Sequence, residues 1–352
     1  MKKISSYIWD YRFSYLGAVL SLLIAVTLDM LAPRLTAHVV DDVIVGGEIG
    51  KLKFLLLGFL GVGLGRCIFQ YVKEYTFDKN GARISGDMRR DLFRHIQSLS
   101  ADFFDRTNTG ELMARVKEDI DHIWDAVGYV GMLLIEVAYH TGIILVCMCM
   151  INWKLALLSG AAMLLCGTVA VIMEQKLGAV YEAISEENAV LNTVAEENLG
   201  GVRTVKAFAR ESFEIDKFLS HNRRYYDLNM AQSKVLVRYY PVFTVITTVL
   251  PLLTLLVGGR FVIDGEMTIG QMTAFVEYSM NIVWPMEMLG WLTNSFSSAV
   301  ASNKKIRKIY EETPTVTEVT DPVIIEKVQG KVSFDHVSFH KADQHEILHD
   351  IT

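Results

Sequence analysis

The chain has 352 residues, 51% of them hydrophobic, with a formal net charge of −6 and a positive mean hydropathy. That balance excludes an ordinary soluble domain and gives no basis for a nucleic-acid partner. Charge is also unevenly placed: long apolar runs alternate with long charged ones, as in a polytopic membrane protein.

Lys2 and Lys3 precede an apolar run as in a signal peptide. No small-residue cleavage site follows, and the run continues into Asp29-Met30-Leu31-Ala32-Pro33, so no cleavage is expected. Ile4, Tyr7, Ile8, Trp9 and Tyr11 read as a short interfacial helix, with aromatics at headgroup level.

A bilayer core takes about 20 apolar residues per helix. Six spans are predicted, at 14–37, 54–72, 129–151, 154–173, 241–263 and 268–292. Gly61 and Gly65 form G-x-x-x-G inside the second span and predict close helix packing rather than dinucleotide binding, which needs a strand before the glycines. Asn152-Trp153-Lys154 joins the third and fourth spans in a tight hairpin, and Asp264-Gly265-Glu266 turns the fifth into the sixth. Cys67, Cys147, Cys149 and Cys166 all fall in apolar runs without zinc spacing and read as small buried hydrophobes.

Two connections are far longer, 73–128 and 174–240, and both are rich in Lys and Arg. The positive-inside rule puts both, and both termini, in the cytoplasm of a multi-pass plasma-membrane protein. Met88, Leu92, Ile96 and Leu99 trace one helical face, and Ile184, Leu191, Val194 and Ala195 trace another. Each segment breaks near its middle, at Asn108-Thr109-Gly110-Glu111 and at Asn198-Leu199-Gly200-Gly201. Asn108 with Glu111 three residues on predicts a capping box opening a short helix. Each segment therefore reads as a helix out, a short crosswise helix and a helix back.

Ionisable groups at membrane depth cost about 2.5–3.5 kcal/mol each on insertion scales, so each needs a partner or a wet cavity. Asp29, Arg34 and His38 lie in the first span, Glu136 and His140 in the third, and Glu277 with Asn281 in the sixth. Arg66, near the end of the second, is placed to snorkel. Asp29, Glu136, His140, Glu277 and Asn281 are candidates either for interhelical pairing or for a water-filled substrate path. Met280, Trp284 and Met288 suit core or lipid contact and would also suit a promiscuous cavity.

The tail carries His345-Glu346-Ile347-Leu348-His349, which fits H-E-x-x-H. That pattern chelates zinc only on a helix. Val332, Phe334, Val337 and Phe339 alternate with polar residues and predict strands, so neither a metal site nor a zinc protease is expected.

Together these segments resemble the transmembrane domain of ABC exporters. The first connection reads DMRRDLFRHIQSLSADFFDRTNTGELMARVKEDI, and the second contains EENLGGVRTVKAFARE. The tail GKVSFDHVSFHKADQHEILHDIT is similar to the opening strands of the family's nucleotide-binding domain. The resemblance implies an all-α polytopic fold of six transmembrane helices with long cytoplasmic extensions, then a short β segment. It divides the chain into a transmembrane domain (1–312), a linker (313–330) and the truncated start of a nucleotide-binding domain (331–352).

It further implies coupling helices around Thr107, Asn108, Thr109, Gly110, Glu111 and Leu112, and around Glu197, Asn198, Leu199, Gly200, Gly201, Val202 and Arg203. ATP and Mg are the cofactors of the full-length family. The implied partners are nucleotide-binding domains, a second exporter half (identical or different), membrane lipid and an exported substrate that the sequence does not name. No G-x-x-x-x-G-K-[ST] run is present, since Val45 and Ile325 stand where the first Gly would be needed. The chain as given is therefore expected to bind no nucleotide and to hydrolyse no ATP. Lys341 stands where the family carries the aromatic that stacks on adenine, a departure from its pattern. The alternative weighed against an exporter is a six-helix channel or receptor without ATPase, which leaves the strand-rich tail unexplained.

Overall fold

The structure is a computed structural model that describes residues 4–314, 330–340 and 346–352. It opens with a short helix, α1 (Ile4–Asp10), ahead of α2 (Arg12–His38). α1 does more than float at an interface: Tyr7 is buried and its hydroxyl donates to Asp91 at 2.8 Å, while Tyr11 donates to Asp87 at 2.9 Å. Burial and the Asp91 hydrogen bond push the Tyr7 hydroxyl well above its usual range.

α2 continues as wide π-helical turns over Val39–Val45. These carry Asp41 to the start of a later helix, α11. α3 (Ile49–Gln97) is a single helix of 49 residues, about 74 Å long at 1.5 Å per residue. Two short helices follow, α4 (Ala101–Arg106) and α5 (Thr109–Ala114). The chain then returns through π-helical turns (Arg115–Asp119), α6 (Ile120–Val127) and α7 (Tyr129–Ile151). α8 (Trp153–Gly200), α9 (Val202–Ala207) and α10 (Glu211–Ile263) repeat the pattern of long helix, short helix, long helix.

Among the described residues, five continuous helical stretches are long and apolar enough to cross a membrane: Arg12–Val45, Ile49–Gln97, Thr109–Ile151, Trp153–Gly200 and Glu211–Ile263. The expected sixth span is instead two helices, α11 (Ile269–Asn281) and α12 (Val283–Glu311), parted at Ile282. Pro285 lies just beyond the break, and its missing N–H leaves the Asn281 carbonyl without its i+4 donor. The Asn281 side chain turns back onto the Glu277 carbonyl at 3.1 Å.

The two largest of the hydrophobic cores among the described residues lie at opposite ends of the bundle. At the end bearing α5, Ile84, Met88, Leu92 and Ile96 recur at steps of four and are all buried, against Leu112, Ile120, Ile123 and Ile306. At the opposite end, Met30, Ile144, Met148, Leu155, Phe275 and Tyr278 close together. There Asp41 caps the start of α11, accepting from the Thr268 hydroxyl at 2.6 Å and the Gly270 N–H at 2.8 Å. Gly270 is obligatory at this contact: a Cβ would lie 2.2 Å from the Ala37 carbonyl oxygen.

Several local expectations need correction. Cys67 and Cys149 are exposed on this chain, while Cys147 and Cys166 are buried, so apolar surroundings in sequence did not mean burial for all four. Gly61 faces open space. Gly65 and Gly58 are the glycines that approach α2, against Leu28 and Leu35. The tail forms an antiparallel pair, β1 (Val337–His340) and β2 (Glu346–Ile351), with no strand at Val332 or Phe334. β2 places Glu346 through His349 on a strand, where residues three apart face opposite ways; His345 and Lys341 lie outside the described residues.

Candidate functional site

α3 packs along α2, and its Arg66, Gln70 and Lys73 recur at helical spacing on one side. They meet Asp29 of α2, Glu136 and His140 of α7, and Asn281 and Trp284 where α11 gives way to α12. These residues enclose a cavity of about 240 Å³. Four of the five candidate path residues (Asp29, Glu136, His140, Asn281) thus share one space; the spacing of four suggests this only for Glu136 and His140.

The cavity is held by two ion pairs. Lys73 Nζ lies 2.6 Å from Glu136 Oε1, with Lys73 only 3% exposed, and Arg66 pairs with Asp29. Arg66 therefore does not snorkel. An isolated ion at this depth would be costly, and pairing is what makes both charges tolerable. His140 is buried beside Trp284, ring centroids 5.9 Å apart and edge to face, and its Nδ1 has no hydrogen-bond partner among the described residues. Lys73 was legible only as one of many cations opening the 73–128 connection. The signal that could have placed it is its spacing of seven residues, two turns, from Arg66.

Glu277 sits on α11, is partly buried and does not line this cavity. Among the described residues it has no ion-pair partner. Two basic groups of neighbouring spans point elsewhere: Arg34 reaches Met150 Sδ at 3.5 Å, and His140 packs on Trp284.

The first predicted coupling element is α5 with its approach. Thr107 is extended, Asn108 is the N-cap, and its Oδ1 accepts from the Gly110 N–H at 2.7 Å. The expected capping box does not form: Asn108 caps through Gly110 rather than through the Glu111 N–H, and the Glu111 side chain turns to Arg115 (2.7 Å). Gly110 is not in a left-handed conformation. Its role is close approach, since a Cβ would meet Asn108 Oδ1 at 3.2 Å. Arg115 continues to Asp119 (2.9 Å), and Asp119, itself buried, accepts from Ser302 at 2.7 Å on α12. Burial opposes the Arg115 charge, but the Asp119 and Glu111 hydrogen bonds outweigh it and raise its pKa. A chain of polar contacts therefore runs from α5 to α12.

The second element is less built. Glu197 to Gly200 are the last residues of α8, and the crosswise helix is α9, which holds Val202 and Arg203. Gly201 is the joint: its N–H donates to the Glu197 carbonyl at 2.8 Å, and a Cβ would lie 3.0 Å from that oxygen. No residue of α9 is buried. Leu199, Val202, Ile215 and Leu219 instead border an open apolar groove of about 430 Å³.

Residues 15–286 match the family described as the ABC transporter transmembrane region. The chain is 27% identical to the uncharacterised ABC transporter ATP-binding protein YwjA of Bacillus subtilis, over all of this chain and 61% of that protein. It is 26% identical to the multidrug resistance-like ATP-binding protein MdlA of Escherichia coli, over 90% of this chain and 54% of that one. It is 24% identical to the ATP-dependent lipid A-core flippase of Desulfotalea psychrophila, over 96% and 59%. The chain thus spans little more than half the length of these relatives.

Proposed function

The chain belongs to the ABC transporter transmembrane region family, and from that premise we propose that it is the membrane-spanning half of an ATP-driven exporter. The observation that carries the reading is the pairing of this family match with two short helices, α5 and α9, each set between long helical stretches that are apolar enough to cross a membrane. Nucleotide-binding domains that close around ATP and Mg would press on α5 and α9. The long helices would act as levers and turn the polar cavity from the cytoplasmic side, where both termini lie, to the far side of the plasma membrane. A second exporter half, identical or different, would complete the path. The open apolar groove at α9 suits a protein surface that this chain does not supply.

The α5–Arg115–Asp119–Ser302 contacts support a role in transmission. Movement at α5 would be carried to α12, the helix that leads toward the 313–330 linker. Asp29, Glu136, His140 and Asn281 suit a hydrated stretch of the path, with Glu277 a further path residue on α11. Reconstitution of the full-length protein in proteoliposomes tests the reading. ATP with Mg should drive accumulation of a transported probe, while the 352-residue chain alone should show no ATPase. Accumulation that proceeds without ATP would favour the channel alternative and reject the exporter.

A further inference from the structure

A second cavity lies at the edge of the core at the α5 end, and it differs in kind from the polar one. α1 contributes Ile8, α6 Ile123, α7 Ile135, and α12 Val300 and Asn303. The space measures about 380 Å³, within the range of small-molecule sites. It shares no lining residue with the polar cavity. Phe77 of α3 and Ile123 are buried behind it, while Ile135 and Val300 stay exposed. The space is therefore closed on the α3 and α6 side and open between α7 and α12.

The lining is apolar apart from two side chains, Tyr15 and Asn303. Tyr15 is committed, since its hydroxyl donates to the Val127 carbonyl at 3.3 Å. Asn303 is not: its Oδ1 is buried and has no hydrogen-bond partner among the described residues. An acceptor shut away from water is costly unless something donates to it. No charged side chain lines the space, so an ionic headgroup would lose its hydration there and gain no counter-ion. A wholly apolar occupant would leave Asn303 as it is. What matches the lining is a long apolar body that carries an uncharged hydroxyl.

We propose that this cavity is a binding site for a neutral, hydroxyl-bearing lipid, whose hydroxyl donates to Asn303 and which braces α6 against α12 rather than travelling as cargo. The place in the fold supports the brace. Asn303 follows Ser302, whose hydroxyl donates to Asp119 at the end of the contacts that start from α5. α6 begins at Ile120, directly after Asp119. An occupant between α6 and α12 therefore bears on the joint that the Asp119–Ser302 hydrogen bond already holds. The site goes beyond the exporter reading and stands without it.

The test is photolabelling of the full-length protein in lipid nanodiscs, without nucleotide, by a long-chain alcohol that carries a diazirine. The label should map to α1, α6 and α12. Oleyl alcohol should compete roughly three- to tenfold better than 1-octadecene, the worth of one hydrogen bond. It should also compete better than oleate, whose charge finds no counter-ion there. Asn303→Leu should erase the advantage of the alcohol over the alkene. In detergent it should melt no lower than wild type, because an unpaired buried acceptor is gone. Val300→Phe, at the exposed mouth, should cut labelling with Asn303 intact, and it decides the matter if Asn303→Leu does not fold. Equal competition by alcohol and alkene would mean that water answers Asn303, and it would overturn the site. So would label confined to other helices, or an alcohol preference that survives Asn303→Leu. Oleate competing as well as the alcohol would overturn the neutral class. ATP-driven accumulation of oleyl alcohol in proteoliposomes would make it cargo and overturn the brace.

Discussion

The inner bundle (α2, α7, α11) and the α8–α10 hairpin are written in the same apolar residues, yet they are packed very differently. In the bundle, α2 and α11 meet so closely that Gly270 has no room for a Cβ, and Leu22, Ile144 and Phe275 are fully buried. In the hairpin, α8 and α10 meet chiefly each other, around Cys166, Ala170 and Phe243. Their outer apolar residues stay bare: Leu164 is 75% exposed and Val237 72%. The extensions differ in the same way. Met88, Leu92 and Ile96 are buried, whereas of Ile184, Leu191, Val194 and Ala195 only Val194 is. The hairpin's polar contacts include the buried Glu187 carboxylate, held by His221 (2.7 Å) and Arg224 (3.1 Å), and Gln232, which donates to the Tyr181 hydroxyl at 2.9 Å. The contacts among α2, α7 and α11 are thus specified by the chain itself, whereas the outer apolar face of α3 stays as bare as the hairpin's (Leu57 63% and Ile68 61% exposed). Lipid or a second subunit must complete the hairpin's surface, as the proposed dimer requires.

The sharpest way to break this comparison is at the glycines. Gly270→Ala forces a methyl into the Ala37 carbonyl and Asp41, and backbone must shift. Overpacking of this kind costs about 1–3 kcal/mol and sometimes more, so the variant should lose much of its folded yield. Gly178→Ala in α8 meets nothing within 4 Å and should match or slightly exceed wild type, as helix propensity predicts. Equal thermal stability of the two variants in detergent would mean that the α2–α11 contact is not as tight as described.

The buried ion pair gives the next largest effect. Lys73→Met leaves Glu136 uncompensated, and losing one partner of a buried pair costs roughly 3–5 kcal/mol. Lys73→Met with Glu136→Leu should recover much of that, because no lone charge remains. A double variant as unstable as the single one would show that the pair's hydrogen bonding, rather than charge balance, holds α3 to α7.

At the extension end the expected effects fall on coupling rather than stability. Gly110→Val crowds the Asn108 cap, and Gly201→Val crowds the Glu197 carbonyl. In the full-length protein both should leave ATP hydrolysis largely intact while lowering transport. The Gly110 variant should also lose about 1 kcal/mol through its cap. Variants that transport like wild type would remove α5 and α9 from the coupling role.

How much of this was legible follows from what periodicity can carry. The spans, the long extensions and the crosswise breaks were readable because each is a local pattern of apolar spacing and turn residues. The Met88–Leu92–Ile96 face was readable for the same reason. Which ionisable groups meet was not: Asp29, Lys73 and Glu136 come from three helices, and only helix rotation decides that Lys73 turns inward. The break at Ile282 escaped because α2 and α10 contain Pro33, Pro241 and Pro251 without interruption, so a proline alone does not announce one. Cys67 and Cys149 misled because an apolar run says membrane or core without saying which.

Glu277 tests the comparison most finely, because it lies in the packed half yet has no ion-pair partner among the described residues. Its neighbours on α11 are committed: Phe275 and Tyr278 are fully buried, and the Tyr278 hydroxyl donates to the Met30 carbonyl at 2.6 Å. Glu277 itself is only partly buried, beside exposed Met280 and one turn from exposed Asn281. A carboxylate held at membrane depth without a cation needs water, and water there means a path rather than lipid. Glu277→Gln keeps the shape and removes the charge. The expected outcome is a change in melting temperature too small to resolve, with slower transport of cationic probes and unchanged transport of neutral ones, by a few-fold because one partly hydrated charge is screened. A drop in stability with all substrates affected alike would make Glu277 a structural residue, paired across the subunit boundary that the hairpin leaves open.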